Sequence, residues 1–300
     1  MKAVTRITFT DANGIRFFGE GPCHLLRTVE QTGSLRAAAM EMEMAYSKAS
    51  KLLKQAEANL GFPLTTRSTG GKDGGGSVLT PEGKRWLRQY EAYRDACVKA
   101  NQALYRQFFP QLGCVIMASG LGSRFGGNKL MADFHGKPML QRALDATEGL
   151  FSRRVVVTRH ESVAALCESQ QVEVILHALP HRRDTIRLGL EALGAVDACM
   201  FLPGDQPLLR RETVAGLLES WKNCPDQIIR PIYEDTEGSP VLFPAWAFPE
   251  LTDLPEGKGG GFVMQTHPEK VHRVSIADPF ELADADTPEI LETLKGLFRG

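Results

Sequence analysis

The chain contains no run of about 18 consecutive apolar residues, so none of its segments reads as a membrane-spanning helix. Its opening, MKAVTRITF, has no apolar stretch of signal-peptide length, and the expectation is a soluble, cytoplasmic protein with no membrane partner. Six cysteines (Cys23, Cys97, Cys114, Cys167, Cys199, Cys224) lie far apart without a CxxC pair, which points away from a zinc ribbon and from a disulfide framework. They read as small buried hydrophobes. A large excess of charge is missing as well, because 35 Lys and Arg stand against 36 Asp and Glu. With 43% hydrophobic and 24% charged residues, the 300 residues are neither disordered nor fibrous. They have room for one large domain or two moderate ones.

The near-neutral total hides an asymmetry. Residues 1–110 carry a net charge of +6 and the remainder −7, which suggests two domains with different partners, the first touching a polyanion. From Pro22 onward Cys23, Leu26 and Val29, then Leu35, Ala38, Ala39 and Met42, then Ala49, Leu52, Leu53, Ala56 and Leu60 recur at helical spacing. This predicts three short helices. Gly33 permits the turn between the first two, and Ser34 is placed to cap the second. Only a few residues around Glu43–Tyr46 separate the second and third, the compactness of a helix-turn-helix. Two short strands with a glycine-rich tip (Gly70, Gly71, Gly74, Gly75, Gly76) would form a wing. Thr80-Pro81-Glu82 then reads as the start of a long helix running towards Phe109.

Residues 20–95, with an alanine-rich helix, an LGFPL step and a GGKDGGG wing, resemble the winged helix-turn-helix of the ModE and LysR type, ModE above all. The resemblance implies double-stranded DNA as partner. The third helix would enter the major groove with Tyr46, Ser47, Lys48 and Lys51, and Arg67 and Lys72 of the wing would reach phosphates. It also implies a homodimer joined along the helix from Pro81 to Phe109. A second use of the same fold, as a dimerisation or interaction module, stays open, since the third helix offers no Arg, Asn or Gln for bidentate base reading before Gln55.

Beyond Pro110 short apolar runs (Cys114–Ala118, Arg154–Thr158, Val172–His177, Ala198–Pro203, Gln227–Tyr233) alternate with amphipathic stretches. The alternation predicts an α/β domain over 111–300 with a mostly parallel sheet covered on both faces, preceded by the α-rich winged domain over 1–110. In such sheets ligands sit beyond the carboxyl ends of the strands, so the loops after Ala118 and Pro203 are where chemistry is expected. The first loop lies in MASGLGSRFGGNKL (Met117–Leu130), whose glycines let backbone amides approach a triphosphate while Arg124 and Lys129 supply positive charge. The GxxxxGK[ST] spacing of a Walker loop is absent. The second, in FLPGDQPLL, sets Asp205 at a strand's carboxyl edge, suited to hold Mg²⁺. An Asx turn is the alternative use of that carboxylate.

The first motif resembles the (L/M)AxGxSxRxGxxK signature of nucleotidyltransferases with a Rossmann-like fold, and GDQP resembles the MocA branch of the MobA/MocA-like family. HRRDTIRLGLEAL, EGSPVLFP, PEGKGGGFVMQTHPEKV and LADADTPEIL follow in that family's order. Three places depart from it: Gly122 stands where the signature has serine, Arg182–Thr185 replace a GxxxS run, and Ser239 replaces a frequent histidine. The resemblance implies that Ala118, Ser119, Gly120, Gly122, Ser123, Arg124, Lys129, Thr185 and Asp205 contact the nucleotide. Asp205 would hold the metal, with Asp286 or Asp284 as second ligand; alternatively Asp286 and Thr287 cap the last helix. Arg124, Lys129 and Asp205 form the expected catalytic set. Lys258, among four glycines, could clamp an acceptor phosphate or lie on a flexible loop.

The implied reaction is transfer of CMP from CTP to molybdopterin, with a molybdenum hydroxylase as recipient of the product. CTP is preferred to GTP because Ser119 occupies the position of the extra glycine in LAGG, narrowing the base pocket. Two rivals remain: transfer to a sugar or polyol phosphate, and a transcription regulator that binds nucleotide or cofactor only as a signal.

Overall fold

Three successive helices form between Glu20 and Leu60 because their apolar spacing closes on one small core. The computed structural model describes residues 3–68 and 76–298. The chain divides into two compact units, Met1–Phe108 and Phe109–Gly300.

In the first unit a hairpin of β1 (Phe9–Thr10) and β2 (Arg16–Phe18) precedes α1 (Glu20–Thr32), α2 (Leu35–Glu41) and α3 (Tyr46–Leu60). The hairpin was not expected, since two- and three-residue strands carry no periodic signal. Gly33 ends α1 with a left-handed φ of 66°. Ser34 then caps α2, its hydroxyl accepting from Ala37 N–H at 3.3 Å. β3 (Thr65–Ser68) and β4 (Gly76–Leu79) pair antiparallel as the two sides of the wing. Lys72 and the wing tip lie outside the described residues. α4 (Pro81–Phe108) starts under a Thr80 cap, with Gly83 N–H donating to Oγ1 at 2.9 Å. Leu25, Leu26, Val29, Ala49, Leu53, Ala56 and Leu87 form the core of this unit.

The second unit is built on an eight-stranded sheet. Its strands are β5 (Leu112–Ala118), β8 (Arg153–Thr158), β9 (Glu173–Leu176), β10 (Ala198–Pro203), β11 (Ile228–Tyr233), β12 (Thr236–Glu237), β13 (Val241–Pro244) and β14 (Val271–Ser275). A separate hairpin joins β6 (Asp133–Phe134) and β7 (Lys137–Pro138). The order runs β12-β11-β13-β10-β5-β8-β9, with β14 also on β11. β10, β5, β8 and β9 are mutually parallel, and β13 enters antiparallel between β10 and β11. One face packs around Ile116, Leu140, Met200 and Leu217, the other around Val115, Val157, Ile186 and Phe243. Those faces are covered by helices including α5 (Leu140–Thr147), α6 (Glu161–Ser169), α7 (Arg182–Leu193) and α8 (Arg211–Asn223). The chain continues through α9 (Phe248–Thr252) and α10 (Gly260–Thr266) to α11 (Pro288–Leu297). Alternating inward residues on both faces make the central strands nearly continuously apolar, as parallel strands covered on both sides require. The carboxyl ends of β5, β8, β9 and β10 therefore open on one edge.

Candidate active site

β10 ends at Pro203, and the turn after it presents Asp205. The backbone carbonyl of Asp205 accepts from Ala285 N–H at 2.9 Å, which pins the segment before α11 beside it. Gln206, 3% exposed, donates from Nε2 to Leu282 O at 3.2 Å and to Asp284 Oδ1 at 3.0 Å. These contacts bring Asp284 and Asp286 to Asp205 across some eighty intervening positions of chain. Thr287 alone caps α11, its Oγ1 accepting from Ile290 N–H at 3.3 Å, so Asp286 is left for ion pairing.

Lys129 stands at the start of a 3₁₀ turn and is only 8% exposed. Its Nζ lies 2.5 Å from Asp205 Oδ2 and 2.8 Å from Asp286 Oδ1, and Arg124 reaches Asp286 Oδ2 at 2.7 Å. Burial works against the charge on Lys129, but its bonds to Asp205 and Asp286 outweigh this and raise its pKa. The same bond from Lys129, aided by Arg124, holds Asp286 below the usual aspartate range. Asp284 is pushed up, first by burial and then by the charge of Asp205. Crowded carboxylates of this kind favour an added cation. Among the described residues no group of three or more His, Cys, Asp or Glu side chains is disposed to hold a metal by itself. Two aspartates still fit Mg²⁺, which takes about one or two carboxylates and completes its shell with phosphate oxygens and water.

The cleft above this network has a volume of about 540 Å³ and is lined by Ser119, Gly120, Arg159, Thr185, Asp205 and Asp284, among others. Of the residues expected to contact nucleotide, Ser119, Gly120, Thr185 and Asp205 thus meet in one cavity. Ala118 is buried at the end of β5, and Ser123 is exposed on the outer part of the loop. Gly122 serves the loop itself. It has φ +61°, and a Cβ there would sit 2.3 Å from the Gly127 carbonyl oxygen, so the serine of the signature cannot occupy this position. Gly120 has open space around it, as backbone approach to a ligand needs. Arg124 and Lys129, read from sequence as cations facing phosphate, are already paired with carboxylates, whereas Arg159 and Arg182 have no ion pair among the described residues.

Sequence reasoning missed the braces of the loop. Thr158 Oγ1 donates to Ala118 O at 2.9 Å, and His160 Nε2 donates to Gly120 O at 2.8 Å. Leu179 N–H donates to His177 Nδ1 at 3.2 Å, which places the ring proton on Nε2. Nε2–H then donates to Ser119 Oγ at 2.9 Å, and Ser119 donates onward to Val157 O at 3.0 Å. Burial, with Arg159 nearby, lowers the pKa of His177 and keeps it neutral. Thr158 ends β8, and His160 and His177 come shortly after β8 and β9, on the same edge as the carboxyl ends of β5 and β10; their position on that edge was legible, but not what each would hold.

In the first unit Tyr46, Ser47, Lys48 and Lys51 are all exposed on α3, and Arg67 is exposed on β3. Ser47, Ser50, Lys51 and Lys54 share one face with Tyr46, whose ring lies 5.9 Å from the Arg36 guanidinium. Gln55, the first side chain along α3 of a type able to read a base bidentately, donates to Arg16 O at 3.1 Å and is thereby tied to β2.

Residues 114–271 match the family model of the MobA-like NTP transferase domain, and residues 23–84 match the bacterial regulatory helix-turn-helix protein, lysR family. The chain is 27% identical over 110 residues to a probable molybdenum cofactor guanylyltransferase of Aquifex aeolicus (strain VF5), covering 36% of this chain and 53% of the relative. It is 37% identical over 75 residues to the molybdenum-pterin-binding protein MopB of Rhodobacter capsulatus, covering 25% of this chain and 28% of MopB. It thus spans about a quarter and about half of the lengths of these curated relatives. In fold it is similar to CMP:2-keto-3-deoxy-manno-octonic acid synthetase complexed with CTP, at a TM-score of 0.52 and 17% identity, covering 62% of this chain and 98% of that one. A Rossmann-like sheet with its glycine loop at one edge, preceded by a helix-turn-helix, agrees with both matches, and the chain belongs to the MobA-like NTP transferases, with a LysR-type helix-turn-helix domain at its N-terminal side.

Proposed function

We propose that residues 111–300, within the second unit, transfer CMP from CTP to molybdopterin and release pyrophosphate, with Mg²⁺ bound by Asp205 and Asp286. The observation that carries this reading is the Asp205–Lys129–Asp286–Arg124 chain of charges at the mouth of a cleft lined by Ser119, Gly120 and Thr185. Magnesium, when bound, would neutralise charge on the triphosphate. The chain's own residues do the rest. Lys129 and Arg124 turn from their carboxylates to the phosphates, and Gly120 leaves room for the donor to approach the backbone. An acceptor phosphate is already ionised at neutral pH, so no general base is required. Its oxygen bonds to the α-phosphorus while the bond to the bridging oxygen breaks, and pyrophosphate leaves with that electron pair. Alignment and preorganised charge supply the rate. Ser119, held by His177 and the Val157 carbonyl, narrows the pocket and favours a pyrimidine over guanine.

Supporting the molybdenum theme are the likenesses to a guanylyltransferase of that cofactor and to MopB. The first unit carries the helix-turn-helix match, and the exposed face of α3 supports double-stranded DNA as its partner. The product would pass to a molybdenum hydroxylase.

The test is pyrophosphate release by the full chain with Mg²⁺ and molybdopterin, comparing CTP with GTP and wild type with Asp205→Ala. CTP-selective turnover is expected, reduced in the variant by about 100- to 1,000-fold, the usual cost of losing one preorganised charge contact. Turnover unchanged in Asp205→Ala would refute the assignment.

A further inference from the structure

Ser119, Thr158, Arg159, His160 and His177 stand along the edge made by the ends of β5, β8 and β9. Four of the five are spent inside the protein. The Ser119 hydroxyl donates to Val157 O and accepts from His177, whose other ring nitrogen accepts from Leu179 N–H. Thr158 is bonded to Ala118 O and His160 to Gly120 O. Arg159 alone among them has neither an ion pair nor a side-chain hydrogen bond among the described residues. It is half-buried and lines the cleft together with Ser119 and Gly120.

Two large apolar side chains line the same cleft. Leu121 is 66% exposed and Leu179 40%. Apolar groups left open in a cleft, with one polar group converging on them, suit a planar ring. The guanidinium then sets which ring. It carries five N–H donors and no acceptor, so what it recognises must offer acceptors. Cytosine does, with O2 and N3 side by side on its pairing edge. Uracil carries N3–H in the same place, and that proton would meet another donor.

We infer that Arg159 reads the donor's base, donating to O2 and N3 of cytosine, and thereby selects CTP against UTP. The inference rests on the transferase reading above, in which Ser119 faces the base, and adds to it the residue that discriminates between the pyrimidines. Ser119 and His177 can narrow the pocket, but cytosine and uracil have nearly the same outline, and shape alone rejects an isostere poorly. An unmatched donor pair does so by leaving polar groups unsatisfied.

Wild type, Arg159→Gln and Arg159→Lys, as full chains with Mg²⁺, are titrated calorimetrically with CTP and with UTP. Wild type is expected to bind CTP more tightly by about 10- to 100-fold, the worth of a charge-assisted hydrogen bond. The Gln side chain both donates and accepts, so Arg159→Gln brings the two nucleotides to parity, while Arg159→Lys keeps part of the preference. Equal binding of CTP and UTP by wild type overturns the inference. So does a parallel loss of both in Arg159→Gln, which would make Arg159 a phosphate contact, and so does a preference that survives in that variant. The transferase reading fails separately: absence of pyrophosphate release with molybdopterin, alongside an Arg159-dependent preference for CTP, sinks the reaction and leaves the base reading standing. CTP turnover with an unchanged preference in Arg159→Gln does the reverse.

Discussion

His177 shows how a single proton is assigned by neighbours. Because Leu179 N–H occupies Nδ1, only the neutral ring with its proton on Nε2 satisfies both this bond and the one to Ser119. Burial lowers its pKa, so the native state binds the proton less well than the unfolded chain does. The stability that the neutral ring contributes is full above the ordinary histidine value of about 6.5, and is lost as pH falls through the lowered native value. Thermal unfolding temperature is therefore expected to drop between pH 7 and pH 5, and His177→Gln to flatten that slope; parallel profiles would remove the argument. The same variant frees the Ser119 hydroxyl, and the ratio of kcat/KM for CTP over GTP should shift by about 2- to 10-fold, the worth of one neutral hydrogen bond. Neither His177 nor His160 was legible in sequence, because a lone histidine after a short strand acquires meaning only from what the neighbouring strand end presents to it.

At the scale of elements, α7 must lie close on the sheet if Arg182 and Thr185 are to reach the cleft. Gly189 permits this: a Cβ there would be 2.6 Å from both γ-carbons of Val115 on β5. Gly189→Ala is predicted to lower stability by about 1–3 kcal/mol through overpacking. A denaturant midpoint equal to that of wild type would show that α7 can lift without penalty. The strands β5, β8 and β10 and the helices α7 and α8 were readable from alternating apolar runs, within a few residues of their ends. β13, which pairs directly with β10, was marked only by the family resemblance of EGSPVLFP, and β14 was not read at all, because a short apolar stretch late in the chain has the same local pattern as many loops. The carboxyl end of α4 carries Tyr93, Cys97, Leu104 and Phe108 at helical spacing, with Tyr93, Leu104 and Phe108 each more than half exposed.

For the whole molecule, we propose that this exposed apolar stripe on α4 is the seam of a homodimer. Light scattering of the full chain is expected to give twice the 33.0 kDa of one chain, and Leu104→Glu with Phe108→Glu to give a monomer. A wild-type monomer would end the proposal. The division of the chain into two units was legible in composition, as a basic first part and an acidic second part, because net charge and hydrophobic periodicity are local sums that need no knowledge of contacts. Sequence by itself determined the two fold types, the glycine loop after β5 and Asp205 after β10, since each is a short-range pattern of turn, strand end and charge. Only the tertiary structure decided that Lys129 is buried between Asp205 and Asp286, that the Gly127 carbonyl leaves no room for a side chain at Gly122, and that Arg182 and Ser239 share one wall. Those relations join residues separated by as many as 157 positions, and the sheet order that brings them together is set by packing across both faces, which no local pattern records.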